Sequence, residues 1–429
     1  MSERSTIFTG GRVIDPSQEL DTASDLLVVD GKVAEIGKNL TAPDEAEVID
    51  VSGLIVAPGL IDVHVHFREP GMEEAETVAT GARAAVAGGF TGVCVMPNTD
   101  PVTDNQAAVG FIVKQGGDAN AARVYPIAAI TLQQLGERLS EFGELVAAGA
   151  VAVSDDGRPV VSSHMMRTAL EYAQTFGIPI VDHCEDPSLA AGGVMHEGLV
   201  SSRLGLKGIP SAAEEIMVAR DALLAELTEG RVHICHVSTE GSVEIIRQAK
   251  SRGARITAEA TPHHFTLTDM ACEQYDTNTK MNPPLREDHD VAAVIEGLKD
   301  GTLDVIATDH APHHYEAKER DFDDAPFGVV GLETALGVGI SELVDTKQLS
   351  LYDLIHCMST KPARIFDLPG GGLSGGSPAD LVVFDPTRLW IVDEAKFLSK
   401  SRNTPFSGRE LSGAVVRTVV AGMTVFEAD

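Results

Sequence analysis

Through the middle of the chain, short apolar runs alternate with helix-length amphipathic segments. The runs occupy residues 54–66, 89–98, 123–131, 149–156, 178–185, 231–238, 255–264 and 303–310. Each is rich in Val, Ile and Ala, as a strand buried on both faces requires. Between them, residues 73–87, 165–176, 212–228 and 241–251 carry the period of helices that bury one face. Eight such repeats predict an α/β fold of the (β/α)8 TIM-like barrel type. A doubly wound open sheet is the alternative.

The two ends are patterned differently. Residues 6–8, 12–14, 25–29, 33–36 and 46–51 read as short strands punctuated by Gly10-Gly11, Asp15-Pro16 and Asp30-Gly31. Residues 380–384, 413–420 and 423–426 read the same way. Neither end alone has enough strands to bury a sheet face, so the two are expected to share one small β-sandwich. The expected division is residues 1–55 and 368–429 for the sandwich and 56–367 for the barrel.

Composition acts mainly by exclusion. The chain of 429 residues carries 33 Lys and Arg against 64 Asp and Glu, a net charge of −31. Nucleic acid and anionic membranes call for a basic face, so neither is expected as a partner. An anionic small-molecule substrate would need a local cation. Five cysteines without a CxxC pair point to buried free thiols rather than a disulfide scaffold. The N-terminal residues lack the pattern of a signal peptide, and no apolar run approaches the ~18 residues of a membrane span. A cytoplasmic location is expected.

The ionisable residues collect at the C-terminal ends of the runs. The first closes as Asp62-Val63-His64-Val65-His66-Phe67-Arg68. Others close at Pro97-Asn98, Ser154-Asp155-Asp156-Gly157, His183-Cys184-Glu185, His236-Val237-Ser238, His263-His264 and Thr308-Asp309-His310. In a parallel barrel these ends share one face, where barrel enzymes place their sites. A lone strand-end His is more often structural; six converging strands that end in His or Asp are not explained that way. An HxH pair, two further His and two Asp exceed what one zinc takes, which favours two metals. Zn²⁺ suits the imidazole and carboxylate mix, with Mn²⁺, Co²⁺ or Fe²⁺ as substitutes. Residues 370–376 match the GxGxxG and GxSxG patterns but lack the strand–turn–helix context either needs, and read as a loop. Met165-Met166 reads as core packing.

The stretch Asp62-Val63-His64-Val65-His66-Phe67-Arg68-Glu69-Pro70-Gly71 resembles the signature of dihydroorotases in the amidohydrolase superfamily. Met96-Pro97-Asn98-Thr99, Asp182-His183-Cys184-Glu185-Asp186, residues 280–286, 307–313 and 401–406 extend the resemblance along the whole chain, to the long class I type. It implies that His64, His66 and Asp309 hold one Zn²⁺ and that His183 and His236 hold a second. No lysine lies between Lys114 and Lys207, so the carboxylated lysine that bridges the metals of many amidohydrolases cannot be built. The class I pattern uses Asp156 as the bridge, with Asp155 as its rival. Asp309 is implied as general base and acid, the alternative being a ligand only. His66, Arg68, Asn98, Asn282, His313, Phe327 and Gly328 are implied substrate contacts. Arg68 is expected on the same side of an extended strand as His66.

The implied reaction is the reversible cyclisation of N-carbamoyl-L-aspartate to L-dihydroorotate and water in pyrimidine biosynthesis. A homodimer or an association with aspartate transcarbamoylase is compatible with this. The competing readings are an allantoinase or hydantoinase, and an inactive scaffold partner of aspartate transcarbamoylase.

Overall fold

The computed structural model describes residues 5–428. Eight strands form one parallel sheet in chain order: Leu60–Val65 (β1), Phe90–Val95 (β2), Arg123–Ala128 (β3), Ala152–Ser154 (β4), Ile180–Asp182 (β5), Val232–Ile234 (β6), Ile256–Ala260 (β7) and Val305–Ile306 (β8). The sheet closes on itself where Val65 bridges His310 and the His66 N–H donates to the His310 carbonyl at 2.8 Å. This is the expected TIM-like barrel. Strands β1 and β2 are buried along their whole length, as a strand covered by helices on one face and barrel core on the other must be.

The apolar run 54–66 is two strands, not one. Ile55–Pro58 pairs with Arg12–Asp15 and Leu381–Ile391 outside the barrel, and β1 begins at Leu60. Gly59 makes the handover: its N–H donates to Asp380 O at 3.0 Å, and a Cβ there would lie 2.2 Å from the Thr91 side chain. No other residue fits between the two sheets.

Both ends of the chain build the sandwich. One sheet contains Lys32–Gly37, Asp25–Val29, Ser5–Thr9 and Glu47–Asp50. The other contains Met423–Glu427, Glu410–Val420, Leu381–Ile391, Ile55–Pro58, Arg12–Asp15 and Leu20–Ala23. Phe8, Val13, Leu26, Val28, Val56, Leu381 and Val383 pack between them. Leu20–Ala23 was not expected, because it is an edge strand with little apolar content, tied by the ion pair of Arg12 with Asp21. Leu381–Ile391 runs past its expected end because register shifts carry it through Asp385-Pro386, proline being tolerated at such irregularities.

The helix expected from residue 73 starts at Val78. Thr77 and Thr80 form a capping box there, and Glu69 accepts the Val78 N–H at 2.8 Å. Met166 is fully buried in the main core and Met165 packs against it. Residues 370–376 form neither helix nor strand; Leu373 is buried in the sandwich, its N–H donating to Asp15 at 2.8 Å. All five cysteines are free and buried. Among the described residues no helix is long and apolar enough to cross a membrane.

Candidate metal centre

The barrel strands stop short of the apolar runs, and the residues beyond them carry the site. His64 lies near the end of β1 and His66 just past it. Asp156, His183, His236 and Asp309 follow β4, β5, β6 and β8 within three residues. All six are buried. His236 and Asp309 have left-handed backbone, φ 33° and 50°, which costs an L-residue about 1–3 kcal/mol and persists only where the surroundings hold it.

Asp309 Oδ1 lies 3.0 Å from His66 Nε2 and 3.4 Å from His64 Nε2. Asp156 Oδ1 lies 3.5 Å from His64 Nε2, 3.7 Å from His183 Nδ1 and 3.8 Å from His236 Nε2. Its Oδ2 lies 3.5 Å from His66 Nε2. His183 Nδ1 and His236 Nε2 are 2.9 Å apart. The six groups thus form two sets with Asp156 between them. Asp155 turns away: Thr131 donates to it through both its N–H, at 3.1 Å, and its hydroxyl, and burial pushes the acid up to about 6.

The donor set fits a metal. His64 Nε2 and Asp156 Oδ1 are buried without a hydrogen-bond partner, and an unpaired buried polar atom costs about 1–3 kcal/mol. The ligand atoms of His64, His66 and Asp309 lie within 4.8 Å of one another, as do those of His64, Asp156, Cys235 and His236. Imidazoles with carboxylates are the set that zinc and its first-row neighbours take. Burial holds the Cys235 thiol well above its usual range.

Electrostatics prepare the same cluster. Burial opposes a charged His64 imidazole, yet the Glu259, Asp309 and Asp156 carboxylates hold it up at about 10. Burial likewise opposes both aspartates, but His64 and its neighbouring imidazoles keep Asp156 and Asp309 below the usual carboxylate range.

Sequence reasoning missed the residues that hold the cluster from beneath. Glu259, inside β7, has Oε1 2.6 Å from His64 Nδ1 and accepts the His236 N–H on the same oxygen at 3.1 Å. Its Oε2 lies 3.1 Å from His233 Nε2. The carboxylate orients His64 so that Nε2 faces the cluster, the arrangement that metal-binding histidines commonly use. Asp62, inside β1, accepts the His64 N–H at 3.0 Å and the Thr308 N–H at 3.2 Å, joining β1 to the segment after β8. The available signal was an acid alone in an apolar strand, as in Ala258-Glu259-Ala260, which is costly to bury without a partner.

Around the cluster the expected substrate residues take distinct positions. Arg68 does not continue an extended strand: β1 ends at Val65 and Arg68 has φ 61°. The turn brings its Nε to the Pro312 carbonyl, to which it donates at 3.1 Å. Glu69 is engaged elsewhere, by Val78 and Gln115. Asn98 Oδ1 lies 2.9 Å from His66 Nδ1. Asn282 donates to Glu185 at 2.8 Å and keeps a buried, unpartnered Oδ1. His313 Nε2 donates to the Phe327 carbonyl at 2.7 Å. Gly328 has φ 120°, and a Cβ there would lie 2.7 Å from that of Ala311.

A cavity of about 720 Å³ is bordered by Glu185, Asn282 and Phe327, and one of about 680 Å³ by Asn98, Asp156 and Arg158. A larger groove of about 1030 Å³, between the Ala335–Gly339 helix and the Leu381–Ile391 strand, holds none of the expected site residues.

Residues 53–242 match the Dihydro-orotase-like family. A dihydroorotase of Geotalea daltonii is 53% identical over 420 residues, covering 98% of this chain and 99% of that one. A dihydroorotase of Pelotomaculum thermopropionicum is 55% identical over 421 residues, covering 98% of each. Among solved structures, the L-hydantoinase (dihydropyrimidinase) of Arthrobacter aurescens superposes with a TM-score of 0.89 at 29% identity, over 98% of this chain and 96% of that one. The D-hydantoinase (dihydropyrimidinase) of a Thermus species gives 0.85 at 25% identity, over 98% and 95%. The barrel and its appended sheets are therefore shared with these hydantoinases, whereas more than half of the residues, along nearly the whole length, are shared with dihydroorotases. This chain belongs to the dihydroorotase family.

Proposed function

We propose that this chain interconverts N-carbamoyl-L-aspartate and L-dihydroorotate plus water as a zinc-dependent dihydroorotase of pyrimidine biosynthesis. The observation that carries the reading is the buried His/Asp cluster with Asp156 at its centre and Arg68 at its rim. Full-length similarity to dihydroorotases supports it. Five buried free cysteines support a reducing, cytoplasmic setting.

His64, His66 and Asp309 would hold one Zn²⁺, His183 and His236 the other, with Asp156 shared. When bound, such metals supply a water of lowered pKa and polarise a carbonyl. The chain's own groups do the rest. Asp309, kept ionised by the imidazoles around it, accepts the proton of the attacking water. It returns that proton to the ring nitrogen as the amide bond breaks. Ring closure runs through the same groups in reverse. Arg68 grips the ring carboxylate with charge-assisted hydrogen bonds, in a chain whose net charge of −31 repels that anion. Asn98 and Asn282 take the remaining polar atoms, and His313 with Phe327-Gly328 closes the pocket.

The test is an ultraviolet assay of dihydroorotate ring opening by the purified protein, with and without chelator. Turnover that chelation abolishes and Zn²⁺ restores is expected. Opening of neutral dihydrouracil or hydantoin in preference to dihydroorotate would overturn the assignment.

A further inference from the structure

The C-terminal segment reaches back across the barrel mouth. Ser399 Oγ donates to Glu76 at 2.5 Å and Ser401 Oγ to the Ala75 carbonyl at 2.7 Å. Two residues on, the buried Asn403 side chain bonds to two separate pieces of the pocket. Its Nδ2 donates to Ala311 O at 3.0 Å and to Gly328 O at 3.1 Å, while its Oδ1 accepts the His313 N–H at 3.2 Å. Its own carbonyl accepts the Val330 N–H at 2.9 Å.

Residues 311–313 and 327–328 lie in neither helix nor strand; the His310–Val329 bridge, with the Ala311 N–H donating to Val329 O at 2.8 Å, and the His313–Phe327 bond join them directly, and Asn403 adds a tie to both from a third segment. Between Ala311 and His313 lies Pro312, whose carbonyl accepts from Arg68 Nε at 3.1 Å. The link therefore runs from Asn403, through residues 311–313, to the guanidinium. Only an amide matches these partners. Two carbonyls face Nδ2 and one N–H faces Oδ1, so a carboxylate would set an acceptor against two acceptors.

From this geometry we propose that Asn403 is a positioning residue: it holds the two pocket walls together and so places Arg68 for the substrate carboxylate. This rests on the reading of the site as a dihydroorotase. Asn403 touches none of the six metal-binding candidates. Asp309 keeps its own contacts to His64 and His66, and the preceding Thr308 is held separately by Asp62.

The experiment compares full-length Asn403→Asp and Asn403→Ser with the wild type and with Arg68→Ala. It measures dihydroorotate kinetics, bound zinc and thermal melting. A rise in KM of about tenfold or more is expected in both Asn403 variants, larger in Asn403→Asp. Turnover at saturation should stay within about threefold of wild type, with metal content unchanged. Because Asn403 acts through Arg68, adding Asn403→Asp to Arg68→Ala should raise KM little further. An unchanged KM, a fall in kcat alone, or fully additive effects would overturn the proposal. So would loss of fold or metal in both Asn403 variants, which would make the residue structural only. Failure of the wild type to open dihydroorotate would instead overturn the dihydroorotase reading, and this inference with it.

Discussion

The sandwich and the barrel are both β-structures closed over Val, Ile and Leu, yet they place buried polar groups differently: the sandwich keeps Asp15 and Asp380 at the ends of its strands, the barrel carries ionisable groups inside them. Between the sandwich sheets lie Phe8, Val13, Leu26, Val28, Leu381 and Val383. The barrel buries Asp62, His64, His233 and Glu259 completely within its strands. Charged groups so placed cost several kcal/mol each unless paired, and apolar residues of similar volume often serve stability as well or better. The barrel meets the cost by pairing: Glu259 lies against His64 and His233, and Asp62 accepts two backbone N–H groups. One region is packed for cohesion; the other gives up cohesion to hold the His/Asp cluster in place. Buried polarity that packing does not explain marks where the chemistry is.

The sharpest way to break this contrast is Asp156→Ala. Turnover should fall to the assay background and bound zinc should drop, while circular dichroism reports an intact fold. Asp155→Ala should be far milder, and the reverse ranking would exchange the two roles. Asp309→Asn keeps an oxygen that can ligate but cannot shuttle a proton. Retained metal with a rate about 10²–10⁴-fold lower is expected from single-turnover assays. Glu259→Gln tests the support from below: zinc affinity, measured by competition with a chromogenic chelator, should weaken by about 10–100-fold. Arg68→Ala should raise KM for dihydroorotate by about 10–100-fold, the loss of charge-assisted hydrogen bonds, with metal content preserved. Neutral dihydrouracil should register no comparable change. In the sandwich the effect on catalysis should be smallest. Leu381→Ala should lower stability by about 2–5 kcal/mol in chemical denaturation, yet leave kcat and KM of the folded enzyme as they were.

The eight barrel strands were legible because a two-face-buried strand has to be mostly apolar, and the runs that end in His64, Asp156, His183 and His236 are. The cluster itself was legible because chemistry-bearing residues followed those runs. Glu259 was not, since one acid within an apolar strand looks like an interruption until its partners arrive from two other strands. The break at Gly59 had a local sign in Pro58-Gly59, a turn dipeptide, but the apolar residues on both sides masked it. Arg68 was placed on an extended strand by counting residues, and counting carries no information about a backbone turn with positive φ. Asn403 is a different case. Its partners are carbonyls and an N–H from segments far away in sequence, and backbone groups leave no mark on composition.

The handover at Gly59 also orders events in time. Ile55–Pro58, which leads directly into the strand bearing His64, pairs with Leu381–Ile391, about 320 residues further along the chain. A growing chain can assemble helices and barrel strands as they emerge. The segment leading into His64 and His66 stays without that partner until Leu381–Ile391 has been synthesised. A ribosome stalled before Leu381 would therefore hold most of a barrel whose first strand lacks this brace.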